Sequence, residues 1–202
     1  MTTVVIPFAG IDGKTRLHAS TRVRRDVSLA MLGDVLAAAH SVGEIRLVTA
    51  DEEGAALGSE LGAEVVGDPG RGQGAAVQAA LAGLEPGAIV ITNADLPCAL
   101  PDDLRALLAA TPAGGIALVE ALDGTTNALS IPAPAVFSPL YGADSAHRFL
   151  ARAHELGLEA VSAAIPNLAD DVDTLDDLQR LHLRLGPRSQ MSLAAIPAAT
   201  AG

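Results

Sequence analysis

Short apolar, β-branched runs alternate with stretches of helical periodicity along most of the 202-residue chain. Residues 3–7, 44–49, 63–66, 89–92, 115–120, 128–131 and 158–165 have the length and composition of strands. Between them, 26–42 repeats its apolar positions at Leu29, Leu32, Leu36 and Ala39, the spacing of a helix face. Residues 52–61, 75–84, 101–110, 146–156 and 175–185 also predict helices, with Pro101 at a first turn, Asp51 and Ser145 as N-caps, and Thr174 with Asp177 as a capping box. Strands alternating with helices predict one α/β domain: a Rossmann-like, mainly parallel sheet with helices on both faces. The run Ile89-Val90-Ile91-Thr92 has the unbroken apolar character of a strand in the middle of such a sheet. Residues 187–202 show no useful period. The expectation is one domain over 1–185 and a disordered tail over 186–202.

Open α/β sheets bind ligands beyond the carboxyl ends of their strands, so the residues at those ends matter most. Asp95 follows the 89–92 strand, and Pro97 stops further pairing. It is either a carboxylate offered to a metal-bound phosphate or a turn residue capping the next helix. The loop after the first strand, FAGIDGKTRL, carries Gly10, Gly13, Lys14 and Arg16. Glycines let backbone N–H groups approach an anion, and the two cations suit a polyphosphate. An ordinary turn with two exposed cations is the other reading. Gly13-Lys14-Thr15 looks like the end of a P-loop, but that motif needs glycine where Phe8 stands.

The loop GDPGRGQG, with glycines at 67, 70, 72 and 74, opens into the 75–84 helix. Its spacing is not the dinucleotide fingerprint. It either wraps a base or ribose through Gly72 and Gly74, or is a linker. Asp123-Gly124 signals a hairpin turn, and Thr125, Thr126 and Asn127 beyond it could hydrogen-bond a carboxylate. Asp171 and Asp173 flank Val172, so in an extended stretch both carboxylates share one side. Such a pair either serves a cation or begins a helix.

Composition narrows the partners. The net charge of −11 argues against a nucleic-acid partner, whose phosphates would be repelled. No apolar run is long enough to span a bilayer. The single cysteine, Cys98, excludes an internal disulfide framework, fits a reducing cytoplasm and reads as a core residue. Lys14 is the one lysine in the chain, and it sits in a glycine-flanked loop. The five histidines have no metal-ligand spacing. Loop amides, a lysine, an arginine and three carboxylates at strand ends together suit phosphoryl or nucleotidyl transfer with Mg²⁺.

The segments GKTRL, ADLP, GTTNAL, YGADS and LADDVDTLDDL occur in this order. Together they resemble the guanylyltransferases of deazaflavin coenzyme F-420 biosynthesis over roughly residues 3–185, and more distantly the molybdenum-cofactor guanylyltransferases. The resemblance implies a single-domain nucleotidyltransferase of the glycosyltransferase-A type. It implies a reaction joining the phosphate of phosphoenolpyruvate or 2-phospho-L-lactate to the α-phosphate of GTP, with release of pyrophosphate. It implies that Asp95, Asp171 and Asp173 hold metal, that Lys14 serves the triphosphate, and that Thr126, Gly142 and Ser145 hold the acceptor. Members often carry a lysine where Ala9 stands and a smaller residue where Phe8 stands. A nucleotidyltransferase of the same fold with another acceptor, and a nucleotide-binding module without catalysis, are the alternatives.

Overall fold

Strand and helix alternate as the hydrophobic pattern predicts. The computed structural model describes residues 2–13, 17 and 19–196. In chain order its elements are β1 (Thr2–Pro7), α1 (Thr21–His40), β2 (Glu44–Thr49), α2 (Glu52–Glu60), β3 (Glu64–Gly67), α3 (Gln73–Leu81), β4 (Ala88–Thr92), α4 (Pro101–Ala110), β5 (Ile116–Glu120), β6 (Thr126–Ile131), α5 (Ser145–Glu155), β7 (Ala160–Ser162), α6 (Pro166–Ala169), α7 (Leu175–Arg180) and α8 (Pro187–Ala194). The strands form one sheet in the order β3-β2-β1-β4-β6-β5-β7. β6 runs antiparallel to β4 and β5, and the remaining pairings are parallel.

Side-chain alternation in the central strands divides the core. Val4, Ile6 and Val90 face Leu32, Val35 and Leu36 of α1 and Leu104 and Leu107 of α4. Val5, Ile89 and Ile91 face Ala76, Val77 and Ala80 of α3 and Phe149 of α5. Each of these central side chains is buried. Full burial of such a chain stabilises by roughly 1.5–3 kcal/mol, so small aliphatic residues suffice here with few aromatics. Three of the aromatic rings gather at one place: Tyr141 packs edge-on to Phe149 at 5.3 Å, and Phe137 lies 6.2 Å from Tyr141. They support the loop that leads into α5. Among the described residues no helix is long and apolar enough to cross a membrane.

Element edges depart from the sequence pattern where long-range contacts decide them. α1 begins at Thr21, ahead of the first apolar stripe, because Ser20 caps it through the Val23 N–H. β7 spans only three residues of the expected 158–165 strand, since it is an edge strand and Pro166 starts α6. α5 is capped by Asp144 in the left-handed region at φ 55°, and Ser145 is its first helical residue instead of its cap.

The expectation of a disordered tail fails for residues 187–196. α8 packs on α1, and Asp34 of α1 is 5% exposed and accepts the N–H groups of Arg188 at 3.1 Å and Ser189 at 2.9 Å. A buried carboxylate thus satisfies the free N–H groups at a helix start. Gly186 permits the approach, because a side chain there would collide with Asp34. Leu193 and Ile196 cover a third apolar cluster built from Val27, Met31, Cys98, Leu178 and Leu181. Nothing local in 187–202 signals this docking, since its anchor lies some 150 residues earlier.

Candidate active site

The register of β1 and β4 brings their carboxyl ends side by side, with Val5 opposite Ile91. Asp95 lies just past the end of β4. Its backbone carbonyl accepts the Val172 N–H at 3.1 Å, which ties the segment ahead of α7 to the strand end. Val172 is fully buried in the third cluster. Asp171 and Asp173 therefore face the opposite way from Val172, and each meets Asp95: one carboxylate oxygen from each of the three residues lies within 4.8 Å of the others. All three side chains are half-buried.

Burial, and then the charge of Asp95 close by, hold the Asp171 carboxyl above the ordinary carboxylate range. Three close carboxylates cost energy unless a cation offsets them. Oxygen donors at this spacing fit a hard divalent cation. The neighbouring Asp170 takes no part: it pairs with Arg180 at 3.0 Å and with Arg184. The Thr174–Asp177 capping box forms as expected and fixes the start of α7 beside the cluster.

Asn127 in β6 reaches the cluster through its side-chain amide. Its side-chain N–H₂ donates to the Ala169 carbonyl at 3.2 Å and to Asp171 at 3.3 Å. Its oxygen accepts from Asn93 at 3.2 Å, and the oxygen of Asn93 accepts from Gln73 at 2.7 Å. The sequence suggests Asn127 as a contact for a substrate carboxylate, but these bonds occupy it with Asp171. Gln73 and Asn93 are additions to the expected site. Single amides far apart in sequence carry no local pattern that marks them.

Two cavities meet at this point. One, of about 520 Å³, lies between the first loop and the glycine-rich loop, and Gly10, Gly70, Gly72, Phe8, Asn93 and Asp95 line it. The other, of about 370 Å³, is lined by Thr126, Gly142, Ser145, Asp95, Asp171 and Asp173. Gln73, Asn93 and Asp95 border both. The structure thus brings Asp95, Asp171, Asp173, Thr126, Gly142 and Ser145 around one space. Ser145 is fully buried and donates its hydroxyl to Thr126 at 3.1 Å, which leaves the threonine's own proton for another acceptor. Gly142, at φ 111°, holds a conformation that a side chain would strain.

The other expected residues divide. Gly72 caps α3 at φ 86° with open space before it. Gly74 does not face the first cavity. A side chain there would meet Pro139 at 2.6 Å, so this glycine lets α3 pack against the loop ahead of α5. Gly10 turns at φ 65° over Asp51. Gly13 ends a short 3-10 turn after β1. Lys14 and Arg16 lie outside the described residues. Phe8 is buried against Gly54 and belongs to the core, while Ala9 is exposed. Burial pushes the Cys98 thiol up to about 11, which suits a core residue and not a nucleophile. His147 and His154 are exposed, and neither lines the cavities.

A single sheet of this order, with cavities at its carboxyl edge and a carboxylate cluster between them, is an α/β architecture shared with nucleotidyl and sugar transferases of known structure. Its backbone superposes on a nucleotidyl transferase from Methanothermobacter thermautotroptrophicus with a TM-score of 0.69 at 18% identity, covering 97% of this chain and 99% of that one. The family model described as Guanylyl transferase CofC like matches residues 2–189, and the chain belongs to that family. The chain is 36% identical over 198 residues to a protein of Roseiflexus castenholzii named phosphoenolpyruvate guanylyltransferase, covering 93% of each. It is also 36% identical over 185 residues to a protein of that name from Geodermatophilus obscurus, covering 89% of this chain and 81% of the relative.

Proposed function

We propose that this protein joins the phosphate of a small phosphorylated carboxylic acid to the GMP moiety of GTP and releases pyrophosphate, in coenzyme F-420 biosynthesis in the cytoplasm. Phosphoenolpyruvate is the acceptor this reading favours, because the curated relatives carry that substrate in their names. The observation that carries the reading is Asp95, which borders both cavities and belongs to the carboxylate cluster. A donor on one side and an acceptor on the other would meet at its carboxylate.

Asp95, Asp171 and Asp173 are the residues that would hold Mg²⁺, which supplies charge neutralisation for two mutually repelling phosphates. The first cavity, lined by Gly10 and Gly72, is assigned to the nucleotide, whose phosphates the N–H groups of the loops around Gly10, Gly13 and Gly72 would meet. Lys14 and Arg16 are assigned to the triphosphate, where they would stabilise the departing pyrophosphate. Thr126, supported by Ser145, and the backbone at Gly142 are assigned to the acceptor carboxylate. The acceptor phosphate is already ionised at neutral pH, so its oxygen attacks the α-phosphate in line and no general base is needed. No histidine among the described residues lines either cavity, which agrees with this.

Pyrophosphate release tests the reading. It is expected with GTP and phosphoenolpyruvate, and not with ATP or CTP. Release only with 2-phospho-L-lactate would change the acceptor, and silence with every phospho-acid would remove the assigned activity.

The charge cluster also makes a prediction about stability. The folded chain binds a proton at Asp171 more tightly than the unfolded chain does, because burial and Asp95 disfavour its charge. The cost of that charge is therefore present above the folded pKa and relieved as pH falls through it. A divalent cation relieves the same cost at neutral pH. Mg²⁺ should raise the melting temperature at neutral pH, and the gain should vanish as the pH drops into the carboxylate range. A melting temperature indifferent to Mg²⁺ at neutral pH would count against the metal assignment.

A further inference from the structure

Gln73 borders both cavities, and its side-chain bond runs along their shared wall to Asn93. It donates to Asn93 at 2.7 Å, Asn93 donates to Asn127 at 3.2 Å, and Asn127 donates to Asp171 at 3.3 Å. The direction of this relay is fixed from its far end. Asn127 also donates to the Ala169 carbonyl, which can only accept. Its oxygen must therefore face Asn93, and the oxygen of Asn93 must face Gln73. Each amide is held in one of its two orientations, and the last one holds a carboxylate of the cluster. Asn127 is 2% exposed, so water does not readily replace these bonds.

Gln73 is the first residue of α3, directly after the glycine-rich loop, and is half-buried. The relay thus runs from the start of a nucleotide-side helix, across the end of β4, to a carboxylate on the acceptor side. We propose that Gln73 is a positioning residue that acts through Asn93 and Asn127 to orient Asp171 for its cation. It links the placement of α3 and its loop to the geometry of the metal carboxylates. Partners of this kind behind a ligand carboxylate change metal affinity even though they touch no metal. The proposal rests on reading Asp95, Asp171 and Asp173 as a metal site.

The test uses the full chain and Mn²⁺ as the probe, with binding followed by the loss of the free-ion electron paramagnetic resonance signal in the absence of nucleotide. Gln73→Met keeps the length of the side chain and removes the donor without adding charge. It is expected to weaken Mn²⁺ binding about 10-fold. It should raise the Mg²⁺ concentration for half-maximal turnover by the same factor and leave the KM for GTP within about two-fold of wild type. Asn93→Ala should weaken Mn²⁺ binding similarly, and the double variant should be no weaker than either single one, because both break one chain. Mn²⁺ binding is measured only on variants that keep a cooperative melt, and Asn93→Ala alone decides the question if Gln73→Met does not fold. Unchanged Mn²⁺ affinity in the folded variants would overturn the relay. So would a raised KM for GTP with intact metal affinity, which marks a direct nucleotide contact, or effects that multiply in the double variant. Failure of the wild-type chain to bind Mn²⁺ would instead overturn the metal reading itself, and the relay with it. Neither outcome depends on which acceptor is used.

Discussion

Asp95→Asn is expected to release pyrophosphate roughly 10³-fold more slowly than the wild-type chain, a loss of about 4 kcal/mol in transition-state stabilisation and typical of removing metal assistance from phosphates. The substitution keeps the shape of the side chain and the backbone bond from Val172 to the Asp95 carbonyl, so the strand end stays where it is. It also removes a negative charge that burdens Asp171. In metal-free buffer the variant should therefore melt no lower than wild type. Steady-state rates and a thermal melt on the same preparation check both halves. Turnover within a few-fold of wild type would take Asp95 out of the site. A collapsed melt would make it a structural residue of the strand end.

The second large effect falls on the other cavity. Thr126→Val preserves volume and removes the hydroxyl that accepts from Ser145 and faces the acceptor space. The KM for the phospho-acid should rise about 30-fold, the ~2 kcal/mol that a hydrogen bond to a charged group is worth. The KM for GTP should stay level, because Thr126 does not line the first cavity. Stability should fall by about 1 kcal/mol, since the buried Ser145 hydroxyl loses its acceptor. Steady-state titration of each substrate separates these outcomes. A rise in the KM for GTP with the acceptor KM unchanged would exchange the roles assigned to the two cavities.

How much of this is legible in the chain depends on whether a residue's neighbours are local. The strand ending before Asp95 is visible as three apolar residues and a threonine, with a proline soon after, and its central place in the sheet follows from their burial on both faces. The shared direction of Asp171 and Asp173 follows from alternation around Val172, and the buried Val172 bears that alternation out. The family resemblance carried by five ordered segments agrees with the family that matches the chain. What stays hidden depends on distance. Asp34 anchors α8 across more than 150 residues, so nothing within the segment 187–196 betrays its structure. Asn93 and Asn127 meet because β4 and β6 are neighbours in the sheet, and Gln73 joins them from the start of α3. Gly74 has the spacing of a ligand loop, and only the fold reveals that it also packs against Pro139. Ser145 has the sequence context of a helix cap; its hydroxyl instead turns inward to Thr126.

The central claim is that GTP and a phosphorylated acid meet at Asp95 and leave as one molecule. Phosphorus-31 nuclear magnetic resonance of the chain with GTP, Mg²⁺ and phosphoenolpyruvate tests it most directly. Two new, mutually coupled phosphorus signals are expected from the bridge between GMP and the acceptor phosphate, growing in step with free pyrophosphate. Free GMP or GDP with phosphoenolpyruvate unconsumed would contradict it.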